Sequence, residues 1–365
     1  MRIASFVLSL ALVGGVACSE TLPTVAPVAA HDGGSPIEPT RERSASVAFD
    51  ENGISEPLAF VVPPSTRSIA VVVEGEAAHL HALASFTMAD GVELVGIDIA
   101  RSHTDAMQHN YFTEQSGTMP GELRQSPRLG TFTHVYPYAP DQTVIEGTAT
   151  LRVVRDAPFG AATVRVLMAP DDGARVLHLN LVRVTATEDL PADPPFLREL
   201  RRIFRQADIE VVVDEVLTLR DTGLEKIASM TEPQETSESD SVSLARMVGA
   251  TTSTTALDVM IVDALPPGVG GLSLGVPGPP MPESYYYGVL VESGPDARSV
   301  ARVIAHETSH FLGLQHVVNR GASGRLYLDP IPDTVDEATN LMAHGTELTP
   351  GQAFVLTRSP LLSTN

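Results

Sequence analysis

The chain of 365 residues is strongly acidic, with 24 Lys and Arg residues against 45 Asp and Glu residues and a formal net charge of −21. This charge disfavours nucleic acid and anionic membrane surfaces as partners, because both would repel the protein. The length suggests about two domains, and the single cysteine excludes a disulfide within the chain.

The first 17 residues predict an export signal. Arg2 is followed by an apolar run over residues 3–16, which is shorter than the about 20 residues of a membrane-spanning helix. Small residues then precede Cys18, and this arrangement resembles the lipobox of bacterial lipoproteins. The resemblance implies a lipid on Cys18, and hence an exported, extracytoplasmic lipoprotein that is held at the membrane by its lipid anchor only. The alternative is ordinary signal cleavage, which leaves a free cysteine and a secreted protein.

Two segments of different character follow the signal. Residues 18–46 are rich in Pro, Ala, Thr and Gly without hydrophobic periodicity, which is typical of a flexible tether. Residues 47–188 contain short apolar or alternating runs separated by turn-forming residues. They predict an antiparallel β-sandwich-like accessory domain.

Residues 193–365 alternate between strand and helix patterns. Apolar periodicity predicts a helix after Pro194 and another over residues 295–313, with Ser293 or Asp296 as its N-cap. Strands are predicted over residues 209–216, 256–262 and 286–292. The fold class is therefore multidomain, with an N-terminal β-sandwich-like domain followed by an α/β domain.

The strongest signal is the pattern HExxHxxGxxH, which begins at His306 within the last of these helices. His306 and His310 are four residues apart and share one helix face, so both can bind one metal ion. Gly313 can adopt a positive φ and end the helix, which lets His316 return as a third ligand. Three protein ligands leave one coordination position open, and Glu307 is placed to act there as a general base.

These five residues resemble the zinc-binding motif of the metzincin clan of metallopeptidases. The clan also has a Met-turn beneath the metal, and Asn340-Leu341-Met342 is similar to it. The segment around it looks most like the pappalysin-type branch. The resemblance implies a zincin domain in which Zn²⁺ is bound by His306, His310 and His316 and which cleaves peptide bonds of extracytoplasmic proteins. An ordinary core methionine is the alternative for Met342.

The resemblance also implies two substrate contacts. In this clan the substrate lies extended along an edge strand above the active helix, and Tyr287, Val289 and Val291 are the candidates for that strand. Several branches carry a Tyr two residues after the Met-turn methionine, where this chain has His344. His344 is therefore a candidate donor to the transition state, and a solvent-facing loop residue is the alternative.

Several further possibilities stay open at this level. Asp329, Asp333 and Asp336 can collect Ca²⁺, or they can form an acidic surface loop. A binding or adhesion lipoprotein with a vestigial zinc domain is one other function, although an intact Glu307 argues against it. A zinc hydrolase of a non-peptide amide is another, and a deep closed pocket would favour it. The protein is expected to be a monomer.

Overall fold

The computed structural model describes residues 41–96, 117–118, 130–171, 173, 175–229, 239–294, 296–320, 326–334 and 337–363. The predicted signal with Cys18, most of the predicted tether and Asp336 lie outside the described residues. No helix among these residues is long and apolar enough to cross a membrane.

Two four-stranded antiparallel sheets make up the N-terminal half. The strands of this half are β1 (Arg41–Ala48), β2 (Leu58–Val62), β3 (Thr66–Gly75), β4 (His81–Thr87), β5 (Glu93–Gly96), β6 (Gly117–Thr118), β7 (Thr131–Tyr136), β8 (Gly147–Arg155) and β9 (Ala161–Pro170). One sheet has the order β1-β9-β3-β7 and the other β2-β8-β4-β5. Apolar side chains of both, such as Val71 and Phe132 from the first and Leu83 and Phe86 from the second, form one core.

A five-stranded mixed sheet with helices on both faces makes up the C-terminal half. Its strands are β10 (Arg175–Val184), β11 (Ile209–Leu219), β12 (Leu257–Val262), β13 (Gly271–Ser273) and β14 (Val289–Glu292). The order is β11-β10-β12-β14-β13, and every pairing is parallel except that of β13 with β14. The helices are α1 (Leu197–Phe204), α2 (Asp240–Gly249), α3 (Ala297–Phe311) and α4 (Pro350–Leu356).

The two faces of this sheet bury different helices. Side chains of α1, α3 and α4 pack on one face, and those of α2 pack on the other. Strand β12 is buried at every residue, as expected for a parallel strand covered on both sides. Two short strands, β15 (Val318–Arg320) and β16 (Leu326–Leu328), form a separate small sheet in which β16 also pairs with β6. The chain is thus a mixed α/β protein with several sheets.

The structure corrects two of the sequence predictions. The sequence predicts strand β10 as part of the N-terminal β-domain, but it lies inside the C-terminal sheet, between β11 and β12. The apolar residues of β10 are buried on both faces of the sheet. An apolar run of ten residues does not show to which of the two sheets the strand belongs. The predicted edge strand is also wrong, because β14 lies between β12 and β13 and the side chains of Tyr287, Val289 and Val291 are buried. The edge strand on this side of the sheet is β13, whose three residues are too few to show an alternating pattern.

A buried carboxylate in the C-terminal sheet leads to a prediction about stability. Asp258 of β12 is 3% exposed, and the side-chain amide of Asn180 donates to it at 2.9 Å. Burial raises the pKa of Asp258 from 3.8 to about 6. Between these values the folded protein binds more protons than the unfolded chain, so stability falls as the pH rises through this window.

We expect Asp258→Asn to raise the free energy of unfolding at pH 7 by up to about 2–3 kcal/mol, because the amide carries no charge to desolvate. The difference from the parent should shrink as the pH falls from about 6 towards 4. Urea denaturation across this range measures both effects. The matched control is Asp141→Asn at an exposed position, which should leave the pH dependence unchanged. An equal stability difference at pH 4 and pH 7 would contradict this explanation.

Candidate metal centre

Helix α3 places the first two histidines. Asp296 is its N-cap, and the carboxylate accepts hydrogen bonds from the backbone N–H groups of Arg298 and Ser299, as one of the two predicted caps requires. The apolar face of the helix is buried, so its position against the sheet is fixed. His306 and His310 follow on successive turns.

The end of α3 brings in the third histidine. Gly313 has a φ of 117°, in the left-handed region that favours glycine. The backbone N–H of Gly313 donates to His310 O and that of Leu314 donates to Ser309 O, both at 2.9 Å, and these bonds end the helix. The chain then reverses, so that His316 lies against the two helix histidines as the sequence predicts.

The three imidazoles converge on one point. Nε2 of His316 lies 3.1 Å from Nε2 of His306 and 3.1 Å from Nε2 of His310. Two nitrogens bound to one tetrahedral zinc at about 2.05 Å would be about 3.3 Å apart, which is close to the observed spacing. Within the described residues, this is the one group of three or more His, Cys, Asp or Glu side chains that can hold a metal ion.

Backbone carbonyls fix the tautomers of the two helix histidines. Nδ1 of His306 lies 2.7 Å from Leu341 O, and Nδ1 of His310 lies 2.7 Å from Leu314 O. Because a carbonyl oxygen only accepts, Nδ1 carries the proton in each ring. The lone pair is then on Nε2, which faces the shared centre, as metal ligation requires.

Burial keeps the imidazoles neutral. Burial is the main reason why the pKa of His306 is lowered to about 4. The hydrogen bond to Leu341 O opposes this shift, and the nearby charges of His316, Arg302 and His344 add to it. The pKa of His310 is well below its usual range for the same reason, and burial also lowers the pKa of His316. Neutral imidazole is the form that binds metal, so the site favours ligation at neutral pH.

Glu307 lies under the edge strand β13. Its side chain is 8% exposed, and burial raises its pKa to about 7, while a hydrogen bond from the backbone N–H of Ser273 opposes this shift. A Cβ atom at Gly271 would lie 2.6 Å from Cγ of Glu307 and 2.7 Å from Cγ1 of Val303. The absence of a side chain at Gly271 therefore lets the edge strand approach the predicted general base. From the sequence, Gly270-Gly271 in the Pro/Gly-rich loop is a candidate for the rim of the substrate site, whereas nothing in the sequence indicates strand β13 or the contact with Ser273.

The predicted Met-turn is connected to the first ligand. The side-chain oxygen of Asn340 accepts from the backbone N–H of Met342 at 2.8 Å, and Asn340 and Gln352 exchange two side-chain hydrogen bonds of 3.1 Å. These contacts fix the turn whose Leu341 carbonyl binds His306. Met342 is 1% exposed, belongs to the core that also contains α3, and directly follows the residue whose carbonyl accepts from His306; its role beneath a metal ion stays a prediction.

The remaining predicted site residues, His344, Asp329 and Asp333, differ in their burial and in their contacts. His344 is exposed, and its charge lowers the pKa of His306 and His316, so it lies near two of the three imidazoles. Asp329 is buried and accepts a hydrogen bond from the backbone of Ile331. Both oxygens of Asp333 accept hydrogen bonds from the start of α4. Calcium binding stays a prediction.

Comparisons with known proteins give only weak similarities. No protein-family model matches the chain, and no curated protein matches it. Among solved structures, an archaemetzincin from Methanopyrus kandleri is 15% identical with a TM-score of 0.27, and the match covers 50% of this chain and 87% of that chain. Metalloproteinase-II from Bacteroides fragilis is 13% identical with a TM-score of 0.29, and the match covers 52% of this chain and 59% of that chain. Similarities of this strength support no conclusion about function. The function has to be inferred from the geometry of the site.

Proposed function

We propose that this protein is a zinc-dependent endopeptidase of the metzincin type that hydrolyses peptide bonds of extracytoplasmic proteins. Three imidazole nitrogens, carried by one helix and the turn after it, converge on one point beside the buried carboxylate of Glu307. This observation carries the proposal.

The donor set fits zinc. Three neutral imidazoles, two with the tautomer fixed by carbonyl oxygens, are a typical ligand set of catalytic zinc sites, which keep one further position open. A bound zinc ion would supply Lewis acidity, which polarises a carbonyl group and acidifies water.

Glu307 is proposed as the general base. Its pKa of about 7 allows the carboxylate to accept a proton from the attacking water and later to return it to the leaving amine. His344 is proposed as a hydrogen-bond donor to the oxyanion that develops on the scissile carbonyl, where a donor acts mainly in the transition state. A surface loop residue is the alternative for His344.

The edge strand β13 supports a peptide as substrate. It pairs with β14 on one side, is the last strand of the sheet, and contacts Glu307 through Ser273 and Gly271. An extended peptide can add to such an edge by main-chain hydrogen bonds, which would place a peptide bond near the base. This geometry favours a peptide over a small non-peptide amide. It also argues against a vestigial site, because a binding domain has no use for a buried carboxylate at this position.

Three parts of the proposal depend on the sequence. The two N-terminal sheets are proposed to form an accessory β-sandwich domain, and Cys18 is proposed to carry a lipid that anchors an exported protein. We also propose a monomer that binds protein or peptide and no nucleic acid, consistent with the net charge of −21.

The test combines metal analysis with peptide cleavage. Purified protein should bind one equivalent of zinc and cleave members of a random peptide library at internal bonds, detected as new termini by mass spectrometry. Dialysis against a chelator should stop cleavage, and added zinc should restore it. A protein that retains its zinc but leaves every peptide intact would contradict the proposal.

A further inference from the structure

A cavity lies next to the metal centre on the side of the Met-turn. Its volume is about 370 Å³, which is enough to hold an amino-acid side chain. The first turns of α3, including Arg298 and Arg302, form one wall, and residues on both sides of Met342, including Thr339 and His344, form the other. Arg302 precedes His306 by four residues on α3, so both side chains lie on the same face of the helix and this wall adjoins the first ligand.

The other acidic and Arg side chains in the walls are either paired within the protein or exposed to solvent. Asp296 uses both carboxylate oxygens at the start of α3, where they accept hydrogen bonds from Arg298 and Ser299. Nε of Arg298 lies 3.5 Å from a carboxylate oxygen of Glu199, and its side chain is 77% exposed. Glu347 is exposed to solvent. These groups therefore require no ligand.

Arg302 differs from them. It is half-buried and its charge lowers the pKa of Glu307, but among the residues that the structure describes its guanidinium makes no salt bridge or hydrogen bond. An arginine stays charged at all physiological pH values, so a partly desolvated guanidinium favours an anionic partner. The planar group binds a carboxylate through two parallel hydrogen bonds. It lies one helical turn before His306, within reach of a peptide bound at the metal centre.

We propose that this cavity is a substrate subsite in which Arg302 binds a carboxylate of the peptide, so that cleavage is favoured beside an anionic group. The inference depends on the proposed peptidase function. The carboxylate belongs either to an Asp or Glu side chain or to the C-terminus of a short peptide. The net charge of −21 repels an anionic peptide at long range, so the preference depends on the short-range contact with Arg302 alone.

The test uses matched peptides and two readouts. The peptides share one cleavable sequence and carry Glu, Gln or Lys next to the scissile bond, each with a free or an amidated C-terminus. We would measure kcat/KM with the zinc-loaded parent, Arg302→Gln and Arg302→Glu. Binding of the same peptides to Glu307→Gln, with and without Arg302→Gln, would be followed by fluorescence anisotropy, which needs no turnover. Arg43→Gln removes one positive charge from the N-terminal half and is the matched control.

We expect the parent to prefer Glu over Gln at least about tenfold, as a charge-assisted contact provides. Arg302→Gln should abolish this preference in both readouts, Arg302→Glu should shift it to Lys, and Arg43→Gln should retain it. If the preference instead follows the free C-terminus, the subsite binds the terminal carboxylate. A parent that cleaves and binds all peptides equally overturns the inference and leaves the peptidase function standing. Preferential binding of the Glu peptide without cleavage by the parent would support the subsite and reject the peptidase.

Discussion

Replacing Glu307 with Gln is expected to lower kcat by about 10²–10⁴-fold, the usual contribution of general acid–base catalysis, while zinc content stays at the parent value. Glutamine has nearly the same shape but neither accepts nor returns a proton at neutral pH. The ligand atoms belong to the three histidines, so their geometry should survive the change.

The stability of the variant separates lost catalysis from lost folding. Burial raises the pKa of Glu307 from 4.5 to about 7, so the folded protein binds more protons than the unfolded chain between these values and loses stability as the pH rises through this range. Removing the charge should therefore raise the stability of the metal-free protein at pH 7 and above. We expect a less active and more stable variant, and Glu210→Gln at an exposed position is the control for both measurements. Cleavage within twofold of the parent would reject Glu307 as the base.

The part of the site that is local in sequence could be predicted. The i, i+4 spacing of His306 and His310 fixes their common face, and Gly313 permits the turn that returns His316. The sequence also indicates the buried strand β12 and limits the cap of α3 to Ser293 or Asp296, because continuous apolar runs and capping residues are local signals.

The part that depends on sheet order could not be predicted. Which strand is the edge is decided by pairing between segments far apart in the chain. Here β13, only three residues long, adds antiparallel to β14 and covers it. The same limit explains the assignment of β10, whose apolar run is compatible with either half of the protein. The hydrogen-bond partner of Nδ1 of His306 is the backbone carbonyl of a residue 35 positions away. Every residue type has a backbone carbonyl, so the sequence does not indicate this contact.

The edge strand leads to the second large expected effect. We expect Gly271→Ala to lower kcat by about 10²-fold, the size of loss that follows when a catalytic group is displaced by about 1 Å. The new Cβ atom would lie 2.6 Å from Cγ and 2.9 Å from Oε1 of Glu307, so the carboxylate has to move away from the backbone N–H of Ser273. Zinc binding should be retained, because no ligand atom belongs to β13.

The neighbouring glycine gives a matched control for this variant. Neither Gly270 nor Gly271 has a φ in the left-handed region, so an alanine causes no backbone strain at either position. At Gly270 the nearest atom to a new Cβ would be Cγ2 of Val303 at 3.9 Å, an ordinary van der Waals distance. Gly270→Ala should therefore keep kcat within about twofold of the parent, since one methyl group at an ordinary contact distance changes little. An equal loss of kcat in Gly270→Ala and Gly271→Ala would contradict this explanation. It would show that a side chain in this segment lowers kcat without acting through Glu307. A large loss in Gly271→Ala alone, with zinc content and thermal stability retained, would show that the close approach of β13 positions the general base.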